Sequence, residues 1–394
     1  PNGSYTPYFP YFPDQEHLQS DQQRTMAELK GVFSLPWGNL LSAGAEYRFD
    51  YLRAPMRVKG GRADDWTTAL YLQDEYTGVN WLNVTAGIRL IENKAFGFHA
   101  TPKISAMFKV ADLRIRTGWS RGFKSPTPKE QGYHYLRTMG ATTFFYMGNP
   151  DLKPQTSDYL SAGIEFSRAG FSASVTGYYN ELYNMITLVN VPLSQIPAGQ
   201  APEYMGDGSG QVTPRMYMNM EDARTMGVDA SLTWRITSDI TLGGSYSWLD
   251  TKAHVYDTKH SRLNEVTIDG MAHHKGNVYG TWQHRYNDAY RLGIGLYGRA
   301  SSTRYYQNNG NGKPYQIWKL TTTHDLGRGK DGMTWRLEAG IDNILDYKET
   351  TPHGLHYGTT SPGRTFYCTL SLKFSKGRKM NTKDVEKGSI DDDD

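Results

Sequence analysis

Residues 364–374 read "RTFYCTLSLKF". Phe366, Cys368, Leu370, Leu372 and Phe374 fall on one side of an extended chain; Thr365, Tyr367, Thr369, Ser371 and Lys373 fall on the other. Side chains alternate across a strand, so this run presents one apolar and one polar surface. In "LLSAGAEYRFDY" (40–51), Leu41, Ala43, Ala45, Tyr47 and Phe49 oppose Ser42, Gly44, Glu46, Arg48 and Asp50. "MTWRLEAGID" (333–342) repeats the pattern, and so do segments near 80–92, 112–120, 158–168, 171–180, 225–234 and 240–249. The template counts about fifteen strands of roughly ten or more residues, long for globular sheets and suited to a tilted bilayer crossing. No comparable stretch carries a helical stripe.

The connections alternate in length. "SLPWGN", "TGVN", "KVAD", "SRAG", "TSD", "RYNDA" and "GRGKDG" are short turns. Between them come long ones at 52–64, 91–101, 122–155, 190–214, 252–270, 303–315 and 348–363. Short turns at one end and long loops at the other are how an outer-membrane barrel is built. Its apolar face then meets lipid, and Arg48, Glu46, Arg89, Arg114, Arg116, Glu165, Arg336, Glu338 and Asp342 line a wet lumen. The expected fold is all-β, an antiparallel transmembrane β-barrel over 21–374.

Composition agrees. The 43 basic and 40 acidic residues nearly balance, which points away from nucleic acid. The 28 Tyr and 9 Trp suit interfacial girdles, although an aromatic-rich sandwich or sugar-binding protein has the same composition. The lone Cys368 excludes an internal disulfide. Residues 1–20 are expected to be a loop remnant, and 375–394, charged and poor in apolar residues, a disordered tail. The run Asp391–Asp394 lacks the spaced ligands of a calcium loop. No G-x-S-x-G, Walker loop, H-E-x-x-H or zinc spacing occurs, so an enzyme is not expected.

The connection at 122–154, "GFKSPTPKEQGYHYLRTMGATTFFYMGNPDLKP", is too long for an idle loop and too aromatic for a disordered one. Its ends, Phe123-Lys124-Ser125-Pro126 and Asn149-Pro150-Asp151-Leu152-Lys153-Pro154-Gln155, together with "GIDNILDYKE" (Asn343, Asp346) and Pro362-Gly363-Arg364, occur in that order. In these motifs the chain resembles the TonB-dependent outer-membrane receptors. "GYYNELYNMITLV" is similar to the strand that usually follows the second box. Pro126 and Pro150 lack an amide hydrogen and suit points where strand pairing ends.

The resemblance implies a 22-stranded, plugged barrel of a Gram-negative outer membrane, with this chain as about its last fifteen strands. First and last strands would both run toward the periplasm, so further strands are expected before residue 21. The implied partners are outer-membrane lipid, a small-molecule ligand, and the TonB complex reached through a plug domain not present in this chain. No resident cofactor is expected; the cargo would be haem or a ferric siderophore. Cobalamin, an oligosaccharide or passive porin-like flow are the alternatives.

Haem-binding members resemble this chain in placing a histidine between the two boxes. His134 is the expected iron ligand, with Tyr133 and Tyr135 contacting the porphyrin or ligating in turn, and His353 and His356 approaching from the last long loop. For a siderophore, Arg137, Phe144, Phe145, Tyr146, Arg304, Tyr305 and Tyr306 supply aromatic and basic groups at the mouth.

Overall fold

The computed structural model describes residues 16, 18–139, 142–192, 194, 196, 212–220, 222–257, 262–268, 270–306, 311–327, 333–349 and 363–374. In chain order come β1 (Asp21–Leu35), β2 (Asn39–Arg53), β3 (Arg62–Val79), β4 (Leu82–Asn93), β5 (Gly97–Val110) and β6 (Leu113–Lys124). The long connection holds α1 (Pro128–Gly132), β7 (His134–Met139) and β8 (Thr142–Met147). Then follow β9 (Gln155–Arg168), β10 (Phe171–Tyr183), β11 (Met185–Asn190), β12 (Val212–Met220), β13 (Ala223–Arg235) and β14 (Ile240–Asp257). The chain continues with β15 (Arg262–Val266), β16 (His274–Asn287), β17 (Tyr290–Ser301), β18 (Tyr315–Leu326), β19 (Met333–Asp342) and β20 (Thr365–Phe374).

Fifteen of these pair with their neighbours in one antiparallel sheet, β1-β2-β3-β4-β5-β6-β9-β10-β13-β14-β16-β17-β18-β19-β20, with β15 extending β14. The number matches the alternation count because each stave is a period-2 run. Register preserves the two faces along the whole path. Glu46 stands opposite Glu28 and Ala69, Arg114 opposite Glu165, and Ser174 opposite Ser231, all on the polar side. Leu160, Ile164, Val175, Val228 and Leu232 lie on the other face and are exposed, the surface of a sheet that faces lipid. Carboxylates on the polar side are tied rather than free: Glu46 to Arg89 at 2.8 Å, and Asp50 to Arg24 at 2.6 Å and Arg48 at 2.9 Å.

Three connections differ from the sequence reading, one of them 252–270, which carries the end of β14 and all of β15. The one expected at 91–101 shrinks to residues 94–96, because β4 and β5 stay paired from Leu82↔Phe108 to Asn93↔Gly97. Asn93 closes that hairpin: its carboxamide oxygen accepts from the amides of Ala95 and Phe96, and its Nδ2 donates to the Asp65 carboxylate. The connection at 122–155 is not structureless either, since it carries α1, β7 and β8. Of the expected loop remnant only 16 and 18–20 are described; the expected tail 375–394 lies outside the described residues.

Candidate ligand-capture site

Two connections at the long-loop end build a second sheet, and a third is tied to it. Thr127 caps α1: its hydroxyl accepts from the Glu130 amide at 3.2 Å while the Glu130 carboxylate accepts from the Thr127 amide at 2.7 Å, a reciprocal capping box. The chain then enters the β7–β8 hairpin, registered from His134↔Met147 to Met139↔Thr142. At Asn184 a left-handed φ of 55° breaks the run out of β10 and directs it into β11. β11 pairs with β12, and β12 pairs in parallel with β8, giving the order β11-β12-β8-β7. A parallel pair joins two distant loops, which no local turn can do.

The third connection, 54–61, is tied by a bridge between Val58 and Tyr133 and by the His134 amide donating to the Arg57 carbonyl at 2.8 Å. Leu136, Phe145, Met147, Val191 and Met216 form a buried core on one side of the small sheet. Burying side chains of this size contributes about 1.5–3 kcal/mol each, enough to hold strands of six residues that would not persist alone.

The other side carries the chemistry. Tyr135 stacks on Tyr146 with ring centres 5.0 Å apart and planes 9° from parallel. The Arg57 guanidinium lies 5.7 Å from the centre of the Tyr135 ring. Arg215 lies 3.9 Å from the centre of Phe144, and its Nη1 donates to the Tyr146 hydroxyl at 3.3 Å. Its Nε donates to Asn190 at 3.0 Å, which holds the guanidinium in place across the strands. Tyr133 adds its ring 5.1 Å from Tyr135 and 6.4 Å from Tyr217. Burial pushes the Tyr135 phenol up to about 12, helped by Tyr133 and Tyr146. Burial likewise raises Tyr133 and Tyr217. These phenols are protonated at neutral pH.

His134 does not join them. Successive residues of β7 face opposite ways, so His134 shares the side of Leu136 and Phe145, where its ring meets Phe145 edge-on with centres 5.2 Å apart. Of the expected trio, Tyr133 and Tyr135 come together and His134 turns away. His353 and His356 lie outside the described residues, as does Pro362. Arg57, Arg215 and Tyr217 were not singled out from the sequence. For Arg215 and Tyr217 the signal was the alternation in "TPRMYMN" (213–219), at the end of the connection read as 190–214; Arg57 sits in the connection at 52–64, which carries no such pattern.

The motif residues act as fasteners. Pro126 and Leu152 are buried. Asn149 makes a turn by accepting from the Asp151 amide at 2.9 Å, while Pro150 stays exposed. Asn219 of β12 staples the second box, accepting from the Lys153 amide at 2.7 Å and donating to the Lys153 carbonyl at 2.9 Å. Phe123 packs on His99 with ring centres 4.4 Å apart. At the last connection Asn343 is buried and bonds the Tyr347 backbone twice, at 2.7 and 2.9 Å. Asp346 accepts from the Arg364 amide at 2.8 Å, and Arg364 Nε donates to the Ile344 carbonyl at 3.1 Å. Gly363, at φ 86°, is the residue type that tolerates this left-handed close approach.

Under α1 the polar face opens into a cavity of about 690 Å³. Arg24, Arg48, Arg89, Lys124 and Lys129 line it against Glu46, Asp50 and Asp65, five cations to three carboxylates. An anion entering from the mouth meets a net positive wall.

The family described as "TonB dependent receptor-like, beta-barrel" matches residues 1–344. An iron-regulated outer membrane virulence protein of Vibrio cholerae is 29% identical over 180 residues, 45% of this chain and 26% of its own length. The ferric enterobactin receptor PirA of Pseudomonas aeruginosa is 22% identical over 387 residues, covering 88% of this chain and 49% of its own. The solved structure of a PfeA ferric enterobactin receptor mutant from Pseudomonas aeruginosa superposes with a TM-score of 0.67 at 18% identity, over 90% of this chain and 54% of that one. The chain thus spans at most about half the length of these proteins. Fold, motif order and family match agree: the chain belongs to the TonB-dependent receptors, as part of their outer-membrane β-barrel.

Proposed function

We propose that this chain is barrel wall and capture surface for the TonB-energised uptake of a ferric siderophore, with a tris-catecholate as the favoured class. The observation that carries the reading is the pair of guanidinium groups, Arg57 and Arg215, held over the Tyr135, Tyr146 and Phe144 rings at the mouth. An anionic, aromatic iron chelate matches the guanidinium pair in charge, although the Phe144 and Tyr146 rings beneath Arg215 are themselves buried. Relatives named as ferric enterobactin receptors support the class. Iron would arrive already chelated, so the protein needs no iron ligand of its own. The His134 ring turns away from Tyr135 onto the side of Leu136 and Phe145, which favours a siderophore over haem. Coupling to TonB would run through a plug domain, as the family resemblance implies.

The test is surface binding and uptake of radio-iron ferric enterobactin by iron-starved cells carrying the intact gene. Arg215→Ala removes a cation–π contact and a charge, about 1–2 kcal/mol, and is expected to weaken binding roughly tenfold. Unchanged binding in Arg215→Ala would remove this surface from the capture step. A saturable haemin Soret shift, lost in His134→Ala, would replace the siderophore with haem.

A further inference from the structure

The polar face changes character twice along the sheet. From β1 to β9 its charged residues form ion pairs, including Glu165 bound by both Arg114 at 2.9 Å and Arg116 at 3.1 Å. Charge returns at Lys275 and Arg285 near the ends of β16 and at Arg291 and Arg299 of β17, and it is ion-paired again where Asp325 holds Arg336 through two bonds of 2.5 and 3.0 Å. Between them the polar-side positions of β10 from Ser172 to Leu182, and of β14 from Thr241 to Thr251, carry no charged residue. Hydroxyls and amides take their place. Ser174 and Ser231 meet at 2.8 Å across β10 and β13, and Asn277 donates to Ser245 at 3.3 Å across β14 and β16. The one carboxylate of β13 here, Asp229, accepts from Ser247 at 2.6 Å. A cavity of about 390 Å³ opens on this tract, with Asp229 and Lys275 as the charged residues of its lining.

A passage for a charged solute has to bind it well enough to admit it and weakly enough to release it. A wall of guanidinium groups holds an anion, as suits capture. Hydroxyls donate and accept with equal ease and exchange partners with water. We propose that the Ser/Thr/Asn tract on β10, β13, β14 and β16 is the side of the lumen along which the captured chelate moves. The ion-paired strands to either side are the stationary wall. This rests on the siderophore reading above.

The experiment places single thiols on the wall in a Cys368→Ser background, which removes the exposed native cysteine. Ser231→Cys and Ser245→Cys mark the tract, and Ser105→Cys, on β5 beside the ion-paired strands, is the control; all three serines are exposed. Cells are treated with a bulky maleimide, labelling is read by mass, and surface binding and uptake of radio-iron ferric enterobactin are measured separately. Expected are full labelling, binding within twofold of untreated cells, and uptake at least tenfold lower for the two tract variants only. Absence of labelling at Ser231→Cys and Ser245→Cys would overturn the proposal, because a path has to be open. An equal fall for Ser105→Cys, or no fall for the tract variants, would overturn it as well. Loss of ferric enterobactin binding in the unmodified parent would instead sink the siderophore reading on which it rests.

Discussion

Gly340 shows what a single residue does on the polar face. A Cβ built there would stand 2.6 Å from the Leu320 carbonyl oxygen and 2.6 Å from the Tyr367 hydroxyl. The missing side chain is what lets the tyrosine ring lie flat over the neighbouring strand. Gly243 makes the same room for Tyr279, but there the three nearest atoms all belong to the movable ring. Gly340→Ala is therefore expected to destabilise by about 1–3 kcal/mol, with Tyr367→Ala failing to rescue it, since a backbone oxygen still blocks the site. Gly243→Ala is expected to cost less and to be relieved by Tyr279→Ala. Heat-dependent gel mobility of the detergent-folded chain reads both, and equal losses at the two glycines would refute the distinction. These glycines were visible in the sequence as small residues on the polar face; which tyrosine each one seats depends on register and was not.

Among the elements, the last connection titrates in a way its bonds dictate. The Arg364 amide holds the Asp346 carboxyl below its ordinary range, with Lys348 helping. A carboxylate depressed in the folded state contributes stability that is complete above the unfolded value, near 3.9, and is lost as pH falls through the lower folded value. The protection of the Arg364 amide, its exchange relative to an unstructured amide at the same pH, should thus hold from neutrality downward and fall once pH drops through the depressed Asp346 value. In Asp346→Ala the protection is expected to be lost at every pH; wild-type protection indifferent to acid would show that the bond does not hold the connection. The elements also divide by legibility. Staves such as β19 and β20 repeat period 2 over ten residues, so register and face follow from the pattern. β7 and β8 are six residues each, and their third partner, β12, lies some seventy residues on in a parallel pair. Nothing local encodes that meeting, which is why His134 and Tyr135 could be grouped on paper although pleating separates them.

For the whole molecule, the decisive asymmetry is between the two faces of one sheet. Leu232 lies on the exposed apolar face and Thr233 on the polar face, one residue apart on β13. Leu232→Arg is expected to cost about 2–4 kcal/mol of folding in bilayers, because it carries charge into hydrocarbon, while Thr233→Arg costs little. Folding yields in vesicles measure the difference, and a reversal would invert the assignment of lipid and lumen. The parallel contact between β8 and β12 has a consequence for anyone redesigning this receptor. Loops of a barrel are ordinarily exchanged one at a time, as replaceable parts. Here a transplant of 125–154 by itself would carry β8 away from β12 and Tyr133 away from Val58, leaving two torn edges in donor and host alike. The smallest portable cassette is all three connections together, and a change in ligand preference has to be engineered, or inherited, as a set.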